Sequence, residues 1–139
     1  MIRRHGGYIC MMLASLLPLS ARAETGSWSQ ETYGGRTSVG GQIVAGRPLV
    51  APPLPRPARV VSLSWQIALS TPAPPELEIK LCNAEKCLYI PTLRGHLRVR
   101  TAFSVTGPWR FIYMVNREGK LSPALNVLSN QLTINYRLQ

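Results

Sequence analysis

Three observations predict an all-β chain, an immunoglobulin-like, antiparallel two-sheet β-sandwich. Residues 59–69 show strict period-two hydrophobicity: Val61, Leu63, Trp65, Ile67 and Leu69 alternate with Ser62, Ser64, Gln66 and Ala68. Twelve prolines and eleven glycines interrupt the 139 residues often enough to favour short strands over helices. Nowhere does a long 3.6-residue apolar period occur, and about seven short strands at this spacing suit a sandwich.

The first 23 residues are expected to be a cleaved leader. Arg3 and Arg4 give a basic start, Ile9 to Leu19 is an apolar run of signal-core length, and Ala21-Arg22-Ala23 supplies the small residues of a cleavage site after Ala23. The run falls short of the about 20 residues that span a bilayer, so no stable membrane insertion is expected. Cys10 lies inside the run, which argues against lipid attachment there. The expected mature chain is thus soluble, exported and in an oxidising compartment, beginning at Glu24.

Residues 24–57 read as an arm rich in Gly, Ser and Pro. From Arg47 to Pro57 five prolines deny the backbone both helix and inner strand, because proline lacks the donor and fixes φ. An extended, polyproline-like connection is expected there, with Trp28 packing onto the core. Residues 58–139 form the expected sandwich core, arm and core together making one domain.

Within that core the strand pattern begins at Arg59. Pro72 to Pro75 mark a turn. Leu77, Ile79 and Leu81 then alternate with Glu78, Lys80 and Cys82, and Leu88 and Ile90 with Cys87 and Tyr89. Leu97, Val99, Thr101 and Phe103 alternate with Arg98 and Arg100, which predicts one strand with the arginines outward. Trp109–Val115 is apolar on both faces, as a central strand is. Asn116-Arg117-Glu118-Gly119 reads as a hairpin turn, and two last segments, 126–128 and 132–136, as strands broken around Ser129-Asn130.

With the leader removed, Cys82 and Cys87 remain as an even pair. Four residues separate them, which fits a hairpin loop with the cysteines opposed, and Leu81 and Leu88 facing inward put both sulfurs on the outer face. A structural disulfide is expected. A redox or metal-binding pair would want a two-residue spacing or a third ligand, and has neither.

Composition excludes much chemistry. The chain has no Asp, and His96 is the one histidine beyond the leader, so neither a Ser-His-Asp triad nor a His/Asp zinc site can be assembled. The six glutamates are scattered; Glu76 and Glu78 lie on one predicted strand and cannot flank a substrate as a glycosidase pair does. His96 beside Gly95 reads as a loop residue. No catalytic residue, metal or cofactor is expected. Leader removal takes away Arg3, Arg4 and Arg22 and no acid, leaving thirteen cations against six acids, a charge of +7. An exported basic domain meets no nucleic acid, so peptidoglycan, anionic lipid headgroups or an acidic protein surface are the fitting partners. Arg94, Arg98 and Arg100 are the candidate binding residues, since guanidinium groups pair well with carboxylate or phosphate; a solvated, edge-protecting strand would look the same.

Several short pieces in order carry a family resemblance: Gly26-Ser27-Trp28, Trp65, Leu81-Cys82 with Cys87, and Pro123-Ala124-Leu125 through Ser129-Asn130-Gln131 to Asn135-Tyr136-Arg137. Through these the chain resembles the flagellar FlhE family, most closely over 59–137 and weakly across the arm. The resemblance implies a non-enzymatic periplasmic accessory of flagellar assembly, acting on rod, ring or export-apparatus proteins. It also implies chaperone-like control of flagellar growth, or restraint of proton leakage through the export apparatus. An Ig-like module for peptidoglycan or another anionic polymer is the alternative.

Overall fold

The computed structural model describes Gly6 and residues 24–100, 103–105 and 107–139. Gly6 apart, the expected leader, with Cys10 and the cleavage point after Ala23, lies outside the described residues. Ten strands and no helix occur among them: β1 (Thr25–Thr32), β2 (Gly35–Val39), β3 (Val44–Ala45), β4 (Leu49–Val50), β5 (Ala58–Leu69), β6 (Leu77–Cys82), β7 (Cys87–Tyr89), β8 (Arg94–Arg98), β9 (Pro108–Val115) and β10 (Lys120–Leu138). The expected all-β, two-sheet antiparallel sandwich is the architecture found. One sheet runs β1-β10-β5-β8, with β2 also on β10; the other runs β3-β9-β6-β7, with β4 also on β9.

Alternation decides which residues fill the space between the sheets. Leu63, Trp65 and Ile67 of β5 and Leu132 and Ile134 of β10 face Ile79 and Leu81 of β6 and Phe111, Tyr113 and Val115 of β9, all buried. Each such side chain contributes about 1.5–3 kcal/mol by leaving water. Trp65 is fixed further by its indole N–H, which donates to the Thr92 carbonyl at 2.8 Å. Phe103 stacks on Trp109 with ring centroids 5.1 Å apart. Trp28 is buried as expected, although its Nε1–H finds no partner.

The structure departs from the sequence pattern in five places. The strands begin well before Arg59: β1 pairs along its whole length with β10, from Thr25↔Arg137 to Thr32↔Asn130, and β2 to β4 follow. Small polar residues hide this strand, because its apolar content is little more than Trp28. The longest stretch of the arm without a strand is the proline-rich 51–57. The turn at 116–119 is not a hairpin: it hands the chain from β9 in one sheet to β10 in the other, with Gly119 at φ 83°. Residues 126–136 are not broken either. They lie in one 19-residue strand whose register slips between Val127 and Ser129, so that Leu125 and Val127 point inward before the slip and Asn130, Leu132 and Ile134 after it. A second slip, at Val61 of β5, makes Val60 the buried residue and leaves Val61 half-buried. Finally, β8 stops at Arg98, and Leu97 stays 37% exposed because β8 is an edge strand. Thr101 lies outside the described residues, and Phe103 reaches the core by a separate pairing, its carbonyl accepting the Val60 N–H at 3.0 Å.

One side of the sandwich is closed by polar groups. The Tyr113 hydroxyl of β9 donates to Asn130 Oδ1 of β10 at 3.0 Å. Asn130 Nδ2 donates to Thr32 Oγ1 of β1 at 2.8 Å, and that hydroxyl donates onward to the Arg47 carbonyl at 3.0 Å. Asn130 is fully buried, and burial pushes the Tyr113 hydroxyl pKa up, which keeps it a donor. Gly46 lies against this amide: a Cβ there would sit 2.7 Å from Asn130 Oδ1, so no larger residue fits without displacing it.

Two stability outcomes are expected. Trp65→Ala should cost about 3–5 kcal/mol in urea unfolding, enough to threaten a domain of this size; a barely destabilised variant would show that the β5 faces are reversed. Asn130→Ala should cost about 3 kcal/mol and Tyr113→Phe about 1–2, since the first strands a buried hydroxyl and loses the Thr32 bond as well. Combined in a double-mutant cycle the two should be clearly non-additive; simple additivity would remove the relay as a coupled unit.

Candidate functional site

Residues paired across an antiparallel ladder share a face, so the register of the first sheet sets out its outer surface row by row. Glu31, Gln131, Gln66 and Arg94 form one row; Ser29, Thr133, Ser64 and His96 the next; Ser27, Asn135, Ser62 and Arg98 the third. No apolar side chain interrupts them. Neighbours bond to one another: Ser29 Oγ and Thr133 Oγ1 lie 2.9 Å apart, Ser64 Oγ and His96 Nδ1 3.0 Å apart, and Asn135 Nδ2 donates to Ser62 Oγ at 3.0 Å.

Below the third row the slip at Val61 brings Arg59 opposite Arg137, both exposed. Arg100, just past the end of β8, borders the same cleft of about 420 Å³ as Arg59 and Arg137. Arg59, Arg100 and Arg137 therefore line one corner, and Arg98 closes the third row next to it. Among the described residues the ion pairs are Arg56–Glu24 at 3.3 Å and Arg117–Glu76 at 2.8 Å, so none of the four is neutralised. Glu85 shares a neighbouring cleft with Arg59 without pairing to it. Such a corner attracts carboxylates or phosphates and offers them bidentate partners.

The three arginines singled out from the sequence are thus arranged differently from expectation. Arg94 and Arg98 share the outer face of β8, whereas Arg100 lies beyond the strand and joins the corner instead. Arg59 and Arg137 were missed, because they come from β5 and β10 and nothing local in sequence links them. His96 is not in a loop but at the middle of β8, hydrogen-bonded to Ser64 on an open face. Glu76 precedes β6 and does not lie on it; the Arg117 hydrogen bond holds its carboxyl below the ordinary range. Among the described residues no three of His, Cys, Asp and Glu converge on a point.

Cys82 and Cys87 are directly opposed in the β6–β7 pairing and joined by a disulfide with S–S 2.00 Å. The loop they close is held from within as well, Asn83 Oδ1 accepting the N–H groups of Glu85 and Lys86 at 2.8 and 2.9 Å. The bridge lies on the outer face of the second sheet, where Cys82 also pairs with Arg110 of β9.

Comparison with known proteins agrees with the fold. A family model described as Flagellar protein FlhE matches residues 34–137. The Flagellar protein FlhE of Yersinia enterocolitica is 34% identical over 124 residues, covering 88% of each chain. That of Salmonella typhimurium is 30% identical, covering 88% of this chain and 94% of its own; that of Escherichia coli K12 is 29% identical, covering 91% and 98%. A solved structure, "Crystal Structure of FLHE", superposes with a TM-score of 0.76 at 30% identity, over 83% of this chain and 99% of that one.

Replacing both cysteines by Ser should lower stability by about 2 kcal/mol, the chain-entropy value for so short a loop, and leave the β6–β7 pairing in place. Circular dichroism melts with and without reductant would check it; wild-type protein insensitive to reductant would show that the bridge stabilises nothing.

Proposed function

The chain belongs to the flagellar protein FlhE family, and from that premise we propose that it is a non-catalytic periplasmic accessory of flagellar assembly that binds an acidic rod, ring or export-apparatus protein through its arginine corner. By holding such a partner it would act as a chaperone, or restrain the export apparatus and its proton leakage. The observation that carries this reading is the unneutralised set Arg59, Arg98, Arg100 and Arg137 beside a flat polar sheet face, with Arg94 further along the same edge strand.

Supporting features are consistent with this location. A disulfide persists in oxidising compartments, which suits the periplasm. No helix among the described residues is long and apolar enough to cross a membrane. The alternative, recognition of peptidoglycan, is less favoured: sugar rings are commonly stacked on exposed aromatics, and the three polar rows of the outer face contain none.

Replacing Arg98 and Arg100 together by Glu tests the reading. Both are exposed, so stability should change by no more than about 0.5 kcal/mol. Cells carrying the double variant at the native level should show altered flagellar assembly or membrane proton leak, and partner binding in vitro should weaken with rising salt for the unaltered protein. Normal flagella and normal leak would remove the arginine corner from the mechanism. Retention of the unaltered protein on purified peptidoglycan, lost in the variant, would favour the alternative.

A further inference from the structure

We infer that β8 is a docking edge at which an extended, acidic segment of a partner protein adds as a further antiparallel or parallel strand of the first sheet. The inference rests on the acidic-partner reading above and specifies how the partner is held. β8 ends the sheet, and among the described residues no strand pairs with its far side. Its backbone polarity is fixed by two flanking bonds: the Val99 N–H donates to the Val61 carbonyl at 2.9 Å, and the Ile67 N–H to the Leu93 carbonyl at 2.7 Å. In an antiparallel ladder, alternate residues turn their backbone groups toward the partner strand. Residues 93, 95, 97 and 99 therefore address β5, and Arg94, His96 and Arg98 present theirs outward. The Thr92 hydroxyl occupies the Arg94 carbonyl at 2.7 Å, which leaves the Arg94 N–H and both groups of His96 and Arg98.

The edges at β7, β3, β4 and β1 are blunted, β2 is set against β10 with a register shift, and β8 has none of these features. β7 has three residues and ends in the disulfide loop; β3 and β4 have two each. β1 is folded against the β3–β4 segment: Gln30 Oε1 accepts the Val50 N–H at 2.6 Å, and the Arg47 N–H donates to the Tyr33 carbonyl at 2.9 Å. The five residues of β8 contain no proline, no lysine and no bulge, the usual guards of an edge. Its guard is charge of one sign. Two copies pairing antiparallel about His96 would set Arg94 of each against Arg98 of the other, which disfavours self-association. The same arrangement selects a strand with acidic side chains opposite Arg94 and Arg98 and an apolar one beside half-exposed Leu97. An acidic segment continuing past Arg98 would run toward Arg100, Arg59 and Arg137.

Amide hydrogen exchange on the disulfide-intact protein tests this, with a synthetic nine-residue peptide of alternating Glu and Val as probe. At saturation the peptide should slow exchange at Arg94, His96 and Arg98 by about tenfold or more, while amides of β1 stay unchanged. The same peptide N-methylated at alternate amides should bind about tenfold more weakly, because each lost backbone bond removes a several-fold factor. Equal binding of the methylated peptide would overturn strand addition while leaving the charge reading intact. Failure of the acidic peptide to bind, or equal binding of a Lys-Val peptide, would overturn the proposal. So would sedimentation of the protein as a dimer with those amides already protected, the edge then belonging to a second copy. Specific protection at β8 together with normal flagella in the Arg98/Arg100 double variant would instead uphold the edge and defeat the flagellar role assigned to the corner.

Discussion

The relay from Tyr113 through Asn130 and Thr32 to the Arg47 carbonyl fixes how the two sheets meet. Apolar faces alone allow many offsets of nearly equal energy, since a buried leucine is indifferent to which neighbour covers it. A buried amide is not indifferent: at low dielectric its bonds are strong when complete and its isolation costly when they are not. One relative placement of β9, β10, β1 and the β3–β4 segment satisfies all of them. The slip after Val127 makes this possible. Without it, regular alternation would drive Ser129, Gln131 and Thr133 into the core and turn Leu132 and Ile134 to solvent.

The same two register slips build the outer surface. The β10 slip sends Gln131, Thr133 and Asn135 outward to form the middle of the polar rows, and the β5 slip at Val61 turns Arg59 out beside Arg137. The chemistry of this face thus derives from backbone irregularity as much as from residue choice. Basic groups gather at one corner and along β8, while Glu31 sits at the far end of the Arg94 row. The face is graded in charge from one edge to the other, and such a gradient would orient the proposed acidic partner before any short-range contact forms.

Legibility in the sequence followed range. The β6–β7 hairpin, its opposed cysteines and the doubly apolar β9 depend on neighbours a few residues away, and alternation revealed them. β1 depends on β10, at the opposite end of the chain, and its Gly- and Ser-rich sequence carries no local strand preference. The slips were read as breaks or missed, because a change of hydrophobic phase looks the same as an interruption until the partner strand is known. The arginine corner was half visible: Arg98 and Arg100 are close in sequence, Arg59 and Arg137 only in space. Among the pieces that carried the family resemblance, Trp65 and Trp28 are core, Cys82 and Cys87 form the staple, and Asn130 is the inter-sheet tie. Most of them index the fold, while Ser27, Gln131, Asn135 and Arg137 from the same pieces lie on the outer face of the first sheet.

The placement of β10 has a consequence for how such a chain comes to be folded at all. β10 is the common neighbour of β1, β2 and β5, yet it is the last strand in the sequence. A chain delivered through a narrow pore with its N-terminus first would present β1 and β2 long before the strand they pair with. Closing that long loop is entropically slow, and until then the first sheet has only its β5–β8 pair to settle into. The first sheet would stay incomplete until β10 emerged, so that strand order itself acts as a timer separating passage from the final closure of the sandwich.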